Sequence, residues 1–163
     1  MNRIRKTIGY LPWLLLLFAT PGWSVEIGET MPEFSIRAFD GGEMSRSALE
    51  GNPLLLIFWN TWCANCQREL PEIDRLGKQF GPRGLRLLAV NTGYNDSEDK
   101  ARAYWKKHGH AFPTTFDRYF EVGQAFGVRG VPTIFLVDTR GIVRYKHSSL
   151  PQDMEEFLKW LAP

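Results

Sequence analysis

The chain has 163 residues, 44% hydrophobic and 23% charged. That is enough for one folded domain with its own core, and it excludes a disordered chain. The first 24 residues take three of the 20 basic residues (Arg3, Arg5 and Lys6) and none of the 18 acidic ones, so the formal charge of +2 becomes −1 for the rest. No basic stripe remains to attract nucleic acid, and that class is excluded.

The amino end has the pattern of a targeting segment. The basic start is followed by an apolar block from Leu11 to Ala19, and Pro21-Gly22 breaks it. Gly22 and Ser24 place small residues where a signal peptidase reads, so residues 1–24 are expected to be a signal peptide cleaved after Ser24. At its widest the block runs from Ile8 to Thr20, short of the ~20 residues of a spanning helix. An uncleaved anchor over residues 8–20 is the alternative. No cysteine follows the block, which excludes a lipid-modified amino terminus. On either reading residues 25–163 form one exported domain, and the style of the leader points to a bacterial periplasm or cell envelope.

From Glu33 to Arg37 apolar and polar residues alternate, Asp40-Gly41-Gly42 signals a turn, and Glu43 to Ser45 can return as a second strand. A small hairpin is therefore expected ahead of the core. Ser47 to Leu49 reads as one helical turn closed by Gly51-Asn52-Pro53. Leu54 to Trp59 is apolar on both faces, the pattern of a central buried strand. A helix from Cys63 to Phe80 follows, with Leu70, Ile73, Gly77 and Phe80 on one stripe and Pro71 inside it.

Leu85 to Asn91 is a second buried strand. Asp96 or Ser97 should cap the next helix, whose stripe is Ala101, Tyr104, Trp105 and His108, with Gly109 ending it. Thr114 to Phe116 predicts a short strand and Glu121 to Phe126 a short helix. Thr133 to Val137 and Ile142 to His147 predict an antiparallel hairpin, and Pro151 opens a last helix with Met154, Phe157, Leu158 and Leu161 on its buried face. This order predicts an α/β domain, a mixed central sheet flanked by helices.

Cys63 and Cys66 are the only cysteines, and they stand two residues apart where the buried strand meets a helix. A structural disulfide across so short a loop gains little unfolded-state entropy. A zinc site needs a second ligand pair, and His108, His110 and His147 have no matching spacing. A redox dithiol fits the pattern. At the helix start the backbone N–H groups and the dipole favour an anion, so Cys63 is expected to be the attacking thiolate and Cys66, one turn in, the buried resolving thiol. Between them Ala64 and Asn65 carry no charge, and residue 65, not being proline, keeps an N–H for the Cys63 sulfur. These features predict a moderately reducing site. No cofactor and no metal are expected.

The run Phe58-Trp59-Asn60-Thr61-Trp62-Cys63-Ala64-Asn65-Cys66-Gln67-Arg68-Glu69-Leu70-Pro71 resembles the active-site segment of the TlpA/ResA/CcmG group of thioredoxin-like proteins. Phe126 to Asp138, with Gly130-Val131-Pro132 at its centre, is similar to their second signature. Met31 to Phe34, the Gly51-Asn52-Pro53 turn and the extra helix around Ala101 to His108 fit as well, so the resemblance spans Gly28 to Leu161. It implies a thioredoxin-like fold with a hairpin extension and an inserted helix. It also implies export and thiol:disulfide exchange with envelope proteins.

By the same resemblance Pro132 is cis and lies against the cysteines, leaving the Val131 backbone to pair with an extended substrate. Glu69 matches a glutamate that tunes the cysteines in this group and could take the Cys66 proton. A solvated glutamate paired with an arginine stays open as the other reading. Thioredoxins carry a buried aspartate six residues before the first cysteine, where this chain has Ile57, so proton handling must come from elsewhere. Trp62 is expected on the substrate surface and Trp59 packed below it. His108, on an apolar stripe, reads as a packed core histidine.

The expected activity is that of a reductase of specific oxidised proteins, kept reduced by a membrane thiol electron donor and acting as a monomer. Apocytochrome c is the leading substrate by resemblance, and a copper chaperone is next. A disulfide-forming oxidant is the rival enzyme. A metallochaperone on the same fold is less favoured, since those resembling it space their cysteines by three and add a histidine. A peroxide-reducing enzyme is disfavoured too, because its Pro-x-x-x-Thr-x-x-Cys segment is absent.

Overall fold

A computed structural model describes residues 24–154 and Phe157. Residues 1–23 of the leader, Leu158 and Leu161 lie outside the described residues. Five strands form one sheet: β3 (Leu54–Trp59), β4 (Arg86–Asn91), β5 (Thr114–Phe116), β6 (Thr133–Val137) and β7 (Val143–His147). Their order is β5-β4-β3-β6-β7. The β3/β4 and β4/β5 pairs are parallel, whereas β3/β6 and β6/β7 are antiparallel. Ahead of them, β1 (Ser35–Arg37) and β2 (Glu43–Ser45) make the separate antiparallel hairpin the sequence predicts.

The central place of β3 follows from its composition. All six residues are buried, and alternate side chains point to opposite faces. Leu55, Ile57 and Trp59 enter one core with Leu70, Ile73, Leu76 and Phe80 of α2 (Ala64–Phe80) and with Ala101 and Trp105 of α3 (Glu98–His108). Leu54, Leu56 and Phe58 enter the other core with Leu49 of α1 (Arg46–Leu49), Val122 of α4 (Glu121–Ala125), and Val25 and Met31 from the amino end. A strand that must fill two cores has no face left for a polar residue.

Most of the expected elements stand where the periodicity places them. Gly77 lies where α2 crosses β4 so closely that a Cβ would strike the Leu87 side chain. Ser97, not Asp96, caps α3: its hydroxyl accepts from the Lys100 N–H. Residues 28–38 form a strap across the sheet. Gly28 and Met31 N–H groups bond to the Val143 and Gly141 carbonyls, both at 2.8 Å, and Phe39 N–H bonds to the Thr114 carbonyl at 2.9 Å. Thr30 and Ala38 thereby make isolated bridges to Ile142 and Thr115, at the two opposite edges. Among the described residues no helix is long and apolar enough to cross a membrane.

Candidate active site

The loop Asn60–Trp62 carries the chain from the end of β3 to the start of α2, and the Cys63 N–H bonds back to the Asn60 carbonyl at 3.2 Å. Cys63 is the N-cap of α2. Its sulfur accepts from the Cys66 N–H at 3.1 Å, so the donor is the backbone of Cys66 rather than that of Asn65. The two cysteines form a disulfide, with Cα atoms 5.2 Å apart. Cys66 is fully buried, and Cys63 retains a small accessible surface. A sulfur that occupies an N-cap is held where an anion is favoured. Access and charge stabilisation therefore both fall to Cys63.

Trp62 is half exposed and its Nε1 donates to the Tyr94 carbonyl at 2.9 Å. Trp59 is fully buried, donates to Thr114 Oγ1 at 3.3 Å and packs against Trp105 with ring centres 5.1 Å apart. The Val131–Pro132 peptide is cis, as the resemblance implied. Pro132 is buried and Val131 half-buried, touching both cores. Val131 stands just outside the ladder, which begins with Thr133 opposite Phe58. Ile57 is fully buried between Ala89 and Ile134 on the neighbouring strands, with no carboxylate in its place.

Glu69 is half-buried on α2, three residues after Cys66. Its Oε2 accepts from the Leu150 N–H at 3.2 Å. The arginine pairing considered as its other reading is therefore replaced by a backbone partner beyond β7. Tyr145, whose hydroxyl donates to the Ser149 carbonyl, belongs to the same corner. Burial raises the Tyr145 hydroxyl above its ordinary value, and the Glu69 charge adds to that.

The other side of the dithiol is a polar web that periodicity gave no reason to expect. Asp96 accepts from the Thr61 N–H at 2.6 Å, the Thr61 hydroxyl at 2.8 Å, Asn91 Nδ2 at 2.8 Å and the Ser97 N–H at 2.9 Å. Asn60 donates to Asn91 Oδ1 at 3.1 Å and accepts from the Thr92 hydroxyl at 2.7 Å. Burial pushes the Asp96 carboxyl up, but the hydrogen bonds from Asn91, Thr61 and Ser97 outweigh it and hold the group below the usual carboxylate range. The only available signal was that both buried strands end in asparagine, at Asn60 after Trp59 and at Asn91 after Val90.

The histidine reading needs correction. His108 is exposed at the end of α3 and stacks on Tyr104 at 4.2 Å. The packed histidine is His110, with a side chain only 5% exposed, set against Trp105 at 4.7 Å. Burial lowers its pKa; Asp74, 3.9 Å away, works in the opposite direction.

A strand-loop-helix unit that sets a cysteine sulfur at a helix N-cap, in disulfide with a fully buried cysteine one turn on, suits dithiol/disulfide exchange. Comparison with known proteins supports this. Residues 27–146 match the AhpC/TSA family.

The chain belongs to the AhpC/TSA family.

It is 32% identical over 148 residues to the thiol-disulfide oxidoreductase ResA of Geobacillus kaustophilus, covering 90% of this chain and 84% of that one. It is 36% identical over 127 residues to the thiol:disulfide interchange protein DsbE of Vibrio cholerae, covering 76% of this chain and 66% of that one. Among solved structures, a thiol:disulfide interchange protein of the thioredoxin family from Chlorobium tepidum matches with a TM-score of 0.70 and 25% identity, over 83% of this chain and 97% of its own. This member of the family is a thiol:disulfide oxidoreductase with the thioredoxin-like fold. The residue three places before Cys63 is Asn60, so the Thr-x-x-Cys pattern of peroxide reduction is absent from its redox segment.

Proposed function

We propose that this oxidoreductase is exported to the bacterial cell envelope and there reduces specific proteins, with apocytochrome c as the leading substrate and a copper chaperone next. The observation that carries the reading is the separation of Cys63, at the N-cap with a small accessible surface, from Cys66, fully buried behind it. Reduced Cys63, as thiolate, attacks one sulfur of the substrate disulfide. That S–S bond breaks, a mixed disulfide forms, and the departing substrate thiolate takes up a proton. Cys66 then loses its proton and attacks the Cys63 sulfur, releasing the second substrate thiolate and leaving the Cys63–Cys66 disulfide. Two electrons pass to the substrate, and a membrane thiol donor returns the pair to the dithiol.

Glu69 is the group we assign to take the Cys66 proton, since it is half-buried and lies one turn further along the same helix. Trp62, Val131 and Pro132 form the surface against which the substrate segment lies. The uncharged Ala64-Asn65 pair adds no cation to stabilise the thiolate, which favours a reductant. The working form is a monomer.

The test is to replace Cys66 with Ser in cells and identify what is joined to Cys63. An apocytochrome c or copper chaperone in mixed disulfide is the expected product. No trapped protein, with Cys63 still reactive in vitro, overturns the reading. A reduction potential near ~−120 mV, at the oxidising end of this fold's range, would assign the chain to disulfide formation instead.

A further inference from the structure

Five large apolar side chains stand exposed among the described residues, and four of them gather in one place. Trp62, Tyr94, Tyr119 and Phe120 are 50%, 67%, 77% and 37% exposed, and all four border a cleft of about 590 Å³. The cleft opens beside the dithiol: of its lining residues, Trp62 directly precedes Cys63, and Val131 directly precedes Pro132. A patch of clustered aromatics on a water-soluble domain marks a contact surface.

The backbone holds this rim in place. Asn95 and Phe120 are the two non-glycine residues of the described chain with positive φ, 48° and 58°, and each lies in a turn that carries rim aromatics. Asp117 is buried under the second turn. Its oxygens accept from the Glu121 and Gly123 N–H groups at 2.9 and 2.8 Å, and its own N–H bonds to the Asn91 carbonyl at 2.8 Å. Gly123 leaves the Phe120 ring lying directly on the backbone of α4, where any Cβ would strike it.

The charge in the cleft has one sign. Arg118 and Arg129 line it, and no carboxylate does. Arg118 is tied to Glu98 at 2.7 Å, whereas Arg129 is exposed. Glu26, within electrostatic reach of Arg129, is already engaged by Lys146 Nζ at 2.8 Å.

We propose that this cleft selects the substrate. It takes an extended, disulfide-bearing segment of an oxidised protein that carries a large apolar, preferably aromatic, side chain and a carboxylate next to the cysteine under attack. The aromatic side chain fills the rim, the carboxylate meets Arg129, and the segment's backbone runs along Val131. The proposal rests on the reductase reading and deepens it.

The test uses the reduced full-length protein and disulfide-closed peptides that differ only beside one cysteine: Phe-Asp, Phe-Lys, Ser-Asp and Ser-Ser, each placed before and after it. Oxidised glutathione is the reference. Rates are compared as ratios within one protein, so that a partly inactive preparation cancels. The Phe-Asp peptide should be reduced at least about tenfold faster than Ser-Ser in one of the two placements, with the Asp-over-Lys part shrinking in salt. Arg129→Glu should invert the Asp-over-Lys preference, and Tyr119→Ser should shrink the Phe-over-Ser one. Rates within about twofold for all peptides, or an Asp-over-Lys preference untouched by Arg129→Glu, overturn the proposal. Failure to reduce any peptide or glutathione overturns instead the reductase reading beneath it.

Discussion

The two flanks of the dithiol are built on opposite plans. On the Asp96 side one carboxylate gathers four hydrogen bonds, two of them from Thr61 in the loop that sets Cys63. On the Glu69 side one carboxylate has, among the described residues, a single 3.2 Å bond from the Leu150 N–H. The first arrangement fixes a position, and its charge is committed to doing so. The second leaves a half-buried carboxyl on α2 with bonding capacity to spare, which the proposed proton transfer would need. Under the proposed mechanism, positioning falls to Asp96 and proton transfer to Glu69, while Ile57 keeps the buried strand beneath the dithiol free of any carboxylate.

The contrast can be broken most severely from the middle. Ile57→Asp would place a carboxylate among Leu55, Ala89 and Ile134 with no partner, costing about 3–5 kcal/mol at pH 7. Denaturant unfolding at pH 7 and pH 5 should show that cost shrinking at the lower pH, and equal losses at both would speak against an unpaired charge as its cause. Asp96→Ala comes next. A loss of about 2–3 kcal/mol is expected, together with a raised Cys63 thiol pKa in an alkylation-rate profile, because the loop no longer holds the sulfur at the helix N-terminus. Wild-type values for both would remove the positioning role.

The pH dependence sharpens the same flank. Because the folded Asp96 carboxyl titrates below its ordinary value, its stabilisation is complete above the unfolded pKa of about 3.9. It is lost only as the pH falls from there through the folded value. Acid unfolding followed at fixed ionic strength should therefore lose part of its slope in this window in Asp96→Asn. The smallest effect on stability belongs to Glu69→Gln, under about 1 kcal/mol. Its mark should be kinetic: release of the mixed disulfide about tenfold slower, with the initial attack by Cys63 unchanged. Unchanged release would reduce Glu69 to an anchor for the turn at Leu150.

The same contrast separates what the sequence discloses locally from what only the fold assembles. Leu54 to Trp59 and the Cys63–Cys66 spacing state their roles locally, because burial on both faces and a helix start are patterns of neighbouring residues. The cis bond before Pro132 was legible only through the resemblance, since nothing local requires it. Asp96 looked like a competitor for the cap that Ser97 takes, because its partners Thr61 and Asn91 come from other elements. His108 satisfied the helical stripe, but the stripe ends at Gly109, whose φ of 66° turns the chain so that His110 folds back on Trp105. Periodicity carries no information past such a turn. The rim aromatics at Tyr119 and Phe120 were silent for a similar reason: no pattern of period two or 3.6 marks a residue displayed on a turn.

The strap leaves one consequence for the order of assembly. Its rungs join residues near the amino end to Thr114, Gly141 and Val143, so the stretch made first is among the last to be seated. Until the β6–β7 hairpin exists, one border of the sheet has nothing to receive Gly28 and Met31, and the chain behind them stays extended. Amide exchange in a chain halted before Gly141 would find both positions unprotected. If the chain is exported as proposed, that delay keeps it threadable until its last strand has crossed the membrane.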